Sequence, residues 1–420
     1  MFGDRHVIVV DLGFGDAGKG ATVDWLCSPG AGLDVSAVVR FNGGAQAAHT
    51  VVDGARRHTF RQFGSGTLSG VPTLLSRYAL VDPIALAAEA RALAVLGVRD
   101  PLDLLFVDER ALLTTPIHGA ANRCREDARG AARHGSCGMG IGETASYALE
   151  HDAPRIRDCR NPDVLRRKLI ALEQHYAPLL ATGRHRHDPV DELVAAYTEF
   201  ARAVAVVPGG QLAVLARAGR LVFEGAQGVL LDEWRGLHPY TTWSTVEPRR
   251  ARALLAGIGE SGAVLGVTRA YQTRHGAGPF PTEDAALAIP EPDNATGRYQ
   301  GAFRVGHLDP ILLRYAVDVC DGVDALAVNH LDILTGRDDI RTAAGYFTPD
   351  GYRDRLDCGP WRDLEYQRLL TDLVAASTPD LVPLPVDVPD FLAGRLRAPV
   401  VLTGHGPDRA DRRARVAAAA

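Results

Sequence analysis

Short apolar, β-branched runs recur along the chain, and almost every one empties into a glycine-rich polar segment. Val7 to Val10 is uninterrupted by polar residues, which predicts a strand buried on both faces, and it runs into glycines at 13, 15, 18 and 20. Val35 to Phe41 predicts a second strand and opens into Asn42-Gly-Gly-Ala-Gln46-Ala-Ala48-His49-Thr50. Further strands are expected at Leu102–Asp108, at Arg220–Phe223 ending in Glu224-Gly-Ala-Gln227-Gly, at Leu265–Arg269 leading to Thr273-Arg-His-Gly-Ala-Gly, at Asp324–Val328 ending in Asn329-His330-Leu-Asp332, and at Val400–Thr403 ending in Gly404-His-Gly406-Pro407-Asp408. Helical spacing marks Ala21 to Cys27, residues 83–97 and most of 160–206. Four glycines between His134 and Glu143 predict a loop rather than a helix interior, residues 292–304 read as an exposed loop, and the Arg/Ala-rich stretch from Arg409 to Ala420 is expected to fray. No internal repeat or low-complexity linker interrupts the series. Polar loops at successive strand ends point to one crevice fed by the whole chain, and so to a single domain over 1–420 with insertions.

Composition narrows the class. The 420 residues carry 46 Lys plus Arg against 51 Asp plus Glu, a formal net charge of -5, which supplies no general basic field and argues against a nucleic-acid partner. Six cysteines lie without C-x-x-C spacing, which argues against a zinc site or a disulfide framework and suits a reducing compartment. No signal-peptide pattern precedes the first strand and no apolar run reaches membrane-spanning length, so a cytoplasmic protein with no membrane partner is expected.

The first glycine loop carries the chemistry. Gly13 to Gly18-Lys19 fits G-x-x-x-x-G-K, in which glycines let backbone N–H groups approach phosphate oxygens, with Gly15, Gly18 and Gly20 as phosphate-loop positions. The Ser or Thr that normally follows the lysine and holds a metal is Gly20, which leaves Asp16 as the metal-binding oxygen within the loop. Among 46 basic residues only Lys19 and Lys168 are lysine, and a compact ammonium suits a place between phosphates better than a planar guanidinium. Taken alone, Asp16 reads equally well as a helix cap and His49 as an ordinary loop histidine.

Taken together, the stretches GDAGKG, GGAQAAHT, EGAQGVLLD, PYTTWS, TRHGAGPFPTE, TGR, NHLD and GPDR resemble, in order and over nearly the whole chain, the adenylosuccinate synthetase family. The resemblance implies an α/β fold with a large, mostly parallel central sheet surrounded by helices and a P-loop-like phosphate loop. It also implies a usual homodimer and a Mg²⁺-dependent ligase joining L-aspartate to C6 of a 6-oxopurine nucleotide with GTP hydrolysis, through a 6-phosphoryl intermediate. In that scheme Asp16 is the base at N1, His49 hydrogen-bonds the moving phosphoryl group, and Lys19 holds nucleotide phosphates. Gln46, Gln227 and Thr242, with Ser136 or Cys137, fall on purine-monophosphate positions, and Arg155 matches the arginine that reaches into the partner subunit's site, with Arg157 close by. Thr296, Arg298 and Arg304 resemble the aspartate loop, where guanidinium forks suit two carboxylates. Asp332 and His330, with Gly406 and Pro407, fall at the triphosphate's base, and the metal falls to Asp16 and the carbonyl of Ala48.

Some positions depart from the common pattern. Ala17 replaces an acidic residue, Ala48 a glycine, Met139 an arginine and His330 a lysine. Met139 with Thr241-Thr-Trp-Ser resembles the divergent branch containing guanylate-using synthases of 2-aminoadenine nucleotides, whereas Asp16 is retained against it. IMP, GMP or dGMP, or an unusual purine-like nucleotide, therefore stay open as acceptor, and ATP beside GTP as donor. A nucleotide-binding regulator that has lost the chemistry is a further reading, and an unrelated Walker-type kinase fails on Gly20.

Overall fold

The computed structural model describes every residue except 1, 4, 131, 132, 134, 292, 293, 295, 296, 298 and 416–420. Ten strands make the central sheet: β1 (His6–Asp11), β2 (Val35–Arg40), β3 (Thr73–Leu75), β4 (Leu105–Asp108), β5 (Ala205–Val207), β6 (Arg220–Gly228), β7 (Gly262–Arg269), β8 (Ala325–Asn329), β9 (Val400–Gly404) and β10 (Arg412–Ala414). Their order is β10-β9-β8-β7-β1-β6-β2-β3-β4-β5, and every neighbouring pair is parallel except β9 with β10. The α/β class with a large, mostly parallel sheet is therefore as expected.

Alternation within β1 explains why it lies mid-sheet. Ile8 and Val10 pack into one apolar cluster with Leu212, Leu254 and Ile311, which ride on α-helices on that face. Val7 and Val9 pack into a second cluster with Val23 and Leu26 of α1 (Lys19–Leu26) on the other face. Both sets are fully buried, worth roughly 1.5–3 kcal/mol per aliphatic side chain, so the strand needs no polar alternate. A third cluster joins Leu105 and Val107 of β4 to α2 (Pro83–Val95), α3 (Pro116–Arg129), α5 (Pro162–Thr182) and α6 (Val190–Ala203).

Several boundaries differ from the sequence reading for identifiable reasons. α1 begins at Lys19, two residues early, because Gly18 at φ 89 turns the chain directly into it. Residues 101–104 are a 3-10 turn rather than the start of β4, with Pro101 opening it. The loop expected up to Glu143 ends sooner: α4 (Ile141–Glu150) starts behind Gly140 at φ 82, so Glu143 is helical. The last stretch does not fray from Arg409. Arg409 bonds Asp24 (Nε–Oδ2 2.7 Å) and pairs with Asp53 at 3.1 Å, and Arg412–Ala414 adds a strand to β9.

One buried carboxylate makes stability pH-dependent. Asp309 caps the helix Pro310–Val319, accepting from Leu312 N–H at 3.1 Å and from the Tyr346 hydroxyl at 2.6 Å. Burial pushes it up to about 6, and the Tyr346 bond only partly opposes this. A carboxyl raised in the folded state stabilises the fold below its unfolded value near 4, and that contribution is lost as pH rises through 6. We expect Asp309→Asn to gain on the wild type by roughly 2–3 kcal/mol between pH 4 and pH 7, read as the difference between urea-unfolding free energies, and a pH-independent difference would exclude this account.

Candidate active site

Asp11, the last residue of β1, shapes the loop that follows it. Its Oδ1 accepts from Gly13 N–H at 2.8 Å, and its Oδ2 accepts from Ala17 N–H and from the Lys19 ammonium, both at 3.0 Å. Gly15, Asp16 and Gly18 take φ of 106, 59 and 89, left-handed values that are cheap for glycine and uncommon for aspartate. The strained Asp16 is braced through its carbonyl, which accepts from Arg269 Nη1 at 3.1 Å, and the Ala17 carbonyl accepts from Asn329 Nδ2 at 2.8 Å. The N-terminus of α1 thus opens toward the cleft with Lys19 in its first turn and no acidic residue there. Ala17 is packed in the apolar cluster beneath the loop, so the small residue at that position serves the core.

The glycine at position 20 has a steric origin. A Cβ there would lie 2.7 Å from the Cβ of His49, closer than side-chain carbons approach. The Ser or Thr of the usual pattern is excluded because the His49 loop packs against the start of α1. His49 is buried, and its Nδ1 lies 2.6 Å from Glu224 Oε1. Burial raises Glu224, but the Arg40 guanidinium at 3.9 Å, His49 and the Ser65 hydroxyl outweigh it and hold the carboxyl at about 2. Burial of the imidazole wins over Glu224 and lowers His49 to about 4. The pair at neutral pH is a carboxylate accepting from a neutral ring, and among the described residues none bonds Nε2. Burial also raises Asp16, opposed by Lys19, His275 and Arg269 in that order, which makes it a stronger base than a solvated aspartate.

These groups line a cleft of about 1270 Å³, larger than one small ligand fills, at the C-terminal edge of the parallel strands. Loops after β1, β2, β3, β6, β7, β8 and β9 all contribute. Gly15, Asp16, Gly18, Lys19, Gly20, Gln46, Ala48, His49, Ser136, Cys137, Arg155, Gln227, Thr242, His330, Gly406 and Pro407 line it. Among the described residues, Gln46 Nε2 and Gln227 Oε1 are buried without a hydrogen-bond partner, as polar groups awaiting a ligand would be, and Gln227 is held at φ 60. Ser136 bonds Asn122 at 3.0 Å, and Arg155 Nη1 donates to the Arg110 carbonyl at 2.7 Å. His330 is neutral, its ring pushed well down by burial.

Two anticipated residues do not line the cleft. Asp332 is exposed on the turn Leu331–Leu334, carried past the cleft by His330 at φ 59. Arg304 is occupied by Glu283 and the Gly278 carbonyl, both at 2.7 Å, in the hairpin of Gln272–His275 with Phe303–Gly306. Thr296 and Arg298 lie outside the described residues. Sequence reading missed Glu224 and Asp11 as site residues, although a carboxylate inside an apolar strand run is itself a signal. It also missed Arg274, a buried, cleft-lining guanidinium over the Phe14 ring at 4.2 Å, which burial lowers to about 9.

A glycine-cradled lysine, a raised aspartate and a histidine–glutamate pair at the head of a parallel sheet define a phosphate-handling α/β enzyme. The family model described as adenylosuccinate synthetase matches residues 8–368. The adenylosuccinate synthetase of Acidithiobacillus ferrooxidans is 32% identical over 438 aligned residues, covering 97% of this chain and 98% of that protein. That of Neisseria meningitidis serogroup B is 33% identical over 369 residues, 84% of each chain. In three dimensions the chain is similar to the fully ligated Plasmodium falciparum adenylosuccinate synthetase (TM-score 0.82, 20% identity, 98% of this chain and 100% of that one). It is also similar to the cyanophage S-2L succinoaminodeoxyadenylate synthetase bound to dGMP and dATP (TM-score 0.60, 19% identity, 98% and 95%). The chain belongs to the adenylosuccinate synthetase family, whose members are ligases forming C–N bonds.

The Gly20–His49 packing makes a direct prediction. Gly20→Ser restores the usual phosphate-loop pattern yet should push His49 away from its seat. We expect kcat/KM to fall about 100-fold and unfolding stability to drop by about 1–3 kcal/mol, measured by steady-state kinetics and urea melts. Wild-type activity in this variant would remove the steric explanation.

Proposed function

We propose that this chain joins L-aspartate to C6 of a 6-oxopurine nucleoside monophosphate, IMP in the leading case, at the expense of a nucleoside triphosphate. The observation that carries the reading is the meeting of Asp16, Lys19 and the His49–Glu224 pair in one cleft. A C6 oxygen is a poor leaving group and must be phosphorylated before an amine can replace it. Asp16, held above the usual carboxylate range by burial, accepts the N1 proton, and O6 becomes nucleophilic toward the terminal phosphoryl group. Lys19 and the loop N–H groups hold the phosphates, and His49, oriented by Glu224 through Nδ1, offers Nε2 to the phosphoryl oxygens as charge gathers there. The aspartate amine then displaces phosphate from C6.

Magnesium fits the donor set. No described group donates a hydrogen bond to the Asp16 carboxylate, and Ala48 keeps a backbone carbonyl at the cleft wall. A bound Mg²⁺ would offset phosphate charge beside Asp16. Cytoplasmic residence and a homodimer, in which Arg155 would serve a second copy's site, belong to the same reading, as does a single domain over 1–420. Among the described residues no helix is long and apolar enough to cross a membrane.

The test is a panel of IMP, GMP and dGMP, each with aspartate, Mg²⁺ and either GTP or ATP, followed by mass detection of the succinyl-purine product. GMP and dGMP are included because of Met139, and ATP because neutral His330 puts no cation at the donor's base. Absence of product with every 6-oxopurine monophosphate would end the reading. Asp16→Asn should lower kcat by about 10²–10⁴-fold while leaving nucleotide affinity within a few fold, and an undiminished kcat would remove Asp16 as the base.

A further inference from the structure

In the cleft wall, two arginines lie on one tyrosine. The Arg77 Cζ is 4.8 Å and the Arg250 Cζ 5.2 Å from the centroid of the Tyr78 ring, and Arg77 Nη2 donates to the Tyr78 hydroxyl at 3.0 Å. Both guanidiniums and the ring are half-buried, and all three line the cleft. Arg250 pairs with Glu233 at 3.3 Å, and Glu233 is already engaged by the Thr245 hydroxyl at 2.6 Å. Among the described residues, Arg77 meets no carboxylate. The corner therefore holds two fixed cations against one carboxylate, and the aromatic face spares the guanidiniums the cost of leaving water while their N–H edges remain available.

The neighbours of this corner are polar segments held to one another by backbone hydrogen bonds. Thr242 N–H donates to the Leu231 carbonyl at 2.8 Å, and Glu233 N–H to the Ser244 carbonyl at 3.2 Å, a short ladder that sets Thr242 beside the segment bearing Glu233. Ser244 Oγ in turn accepts from Gly43 N–H at 3.3 Å, in the loop that carries Gln46 with its unpartnered Nε2. The 241–243 segment also meets the start of α4, where a Cβ on Gly142 would stand 3.3 Å from the Trp243 ring. Amide, hydroxyl and guanidinium groups of these segments all line the cleft, with an excess of positive charge at the Tyr78 corner.

We propose that Arg77 and Arg250, stacked on Tyr78, are specificity-determining residues that bind a phosphate monoester dianion, the 5′-phosphate of the acceptor nucleotide, from within this chain. The assignment rests on the function proposed above for the same cleft. A guanidinium fork matches two phosphate oxygens, and two forks on a common ring select a phosphorylated acceptor over the bare nucleoside.

Arg77→Met, Arg250→Met and the double variant test this, with thermal melting to establish that each is folded. KM for the nucleoside monophosphate should rise about tenfold in each single variant and about 100-fold in the double, with kcat within a few fold and the aspartate KM unchanged. Arg77→Lys should recover part of the loss. Calorimetric titration of the wild type and the double variant with inosine, inosine 5′-monophosphate and inorganic phosphate gives a readout independent of turnover. The double variant should lose affinity for the monophosphate and for phosphate, with inosine unchanged. Equal losses for nucleoside and nucleotide, or unchanged monophosphate affinity, would overturn the assignment. A wild type inactive on every 6-oxopurine nucleotide whose phosphate binding still depends on Arg77 and Arg250 would instead overturn the proposed reaction and leave this site standing.

Discussion

The loop that handles phosphate is held by one buried carboxylate. Asp11 gathers two backbone N–H groups and the Lys19 ammonium at the end of a strand that is itself buried on both faces. Removing one partner of a buried, hydrogen-bonded pair leaves an uncompensated charge and typically costs on the order of 3–5 kcal/mol. Here the loss would also release the turn that places Asp16 at a left-handed φ. Position, strain and charge in the loop follow from where β1 ends, and β1 ends where its apolar run gives way to Asp11.

Packing then couples this loop to the next. Gly20 lets the His49 backbone lie against α1, and Gly18 lets Asn329 reach the Ala17 carbonyl, where a Cβ would stand 2.8 Å from Nδ2. Neither contact tolerates a side chain on the glycine. The loops after β1, β2 and β8 are thereby locked to one another, while Glu224 on β6 orients His49 from below. Charge is distributed accordingly. The Arg40–Glu224 and Lys19–Asp11 pairs neutralise the floor, whereas among the described residues none donates a hydrogen bond to the Asp16 carboxylate.

The parts legible in the sequence were those with strong local signals. Continuous apolar runs placed most of the central strands, and glycine spacing placed the phosphate loop and the polar strand ends that meet in the cleft. Short strands escaped: Thr73–Leu75 and Ala205–Val207 have three residues each, too few for any period to emerge. β10 escaped because its three residues are arginine- and alanine-rich, and its pairing with β9 and the Arg409–Asp24 contact come from elsewhere in the chain. Glu224 and Asp11 illustrate the same limit in the site. Their roles rest on partners at sequence separations of 175 and of 2 to 8 residues, and only the fold makes the first of these a contact. Arg304 shows the converse. Its place in the chain suited a carboxylate-binding loop, but it sits in a hairpin opposite Arg274 and its guanidinium bonds Glu283.

The chain's two lysines carry the argument one step further. Both are buried in a protein that otherwise uses arginine for positive charge. Lys19 meets Asp11, and Lys168 meets Asp152 at 2.8 Å and Asp158 at 2.9 Å. An ammonium directs three donors around a point, which suits carboxylates approaching from different sides, whereas a guanidinium fork would need them in its own plane. Asp158, so fixed, accepts from the Arg155 N–H at 2.8 Å and holds the chain where Arg155 joins the cleft wall. Lys168 draws two carboxylates together and Lys19 joins one to the phosphate loop, and both buried ammoniums set the geometry of the same cleft.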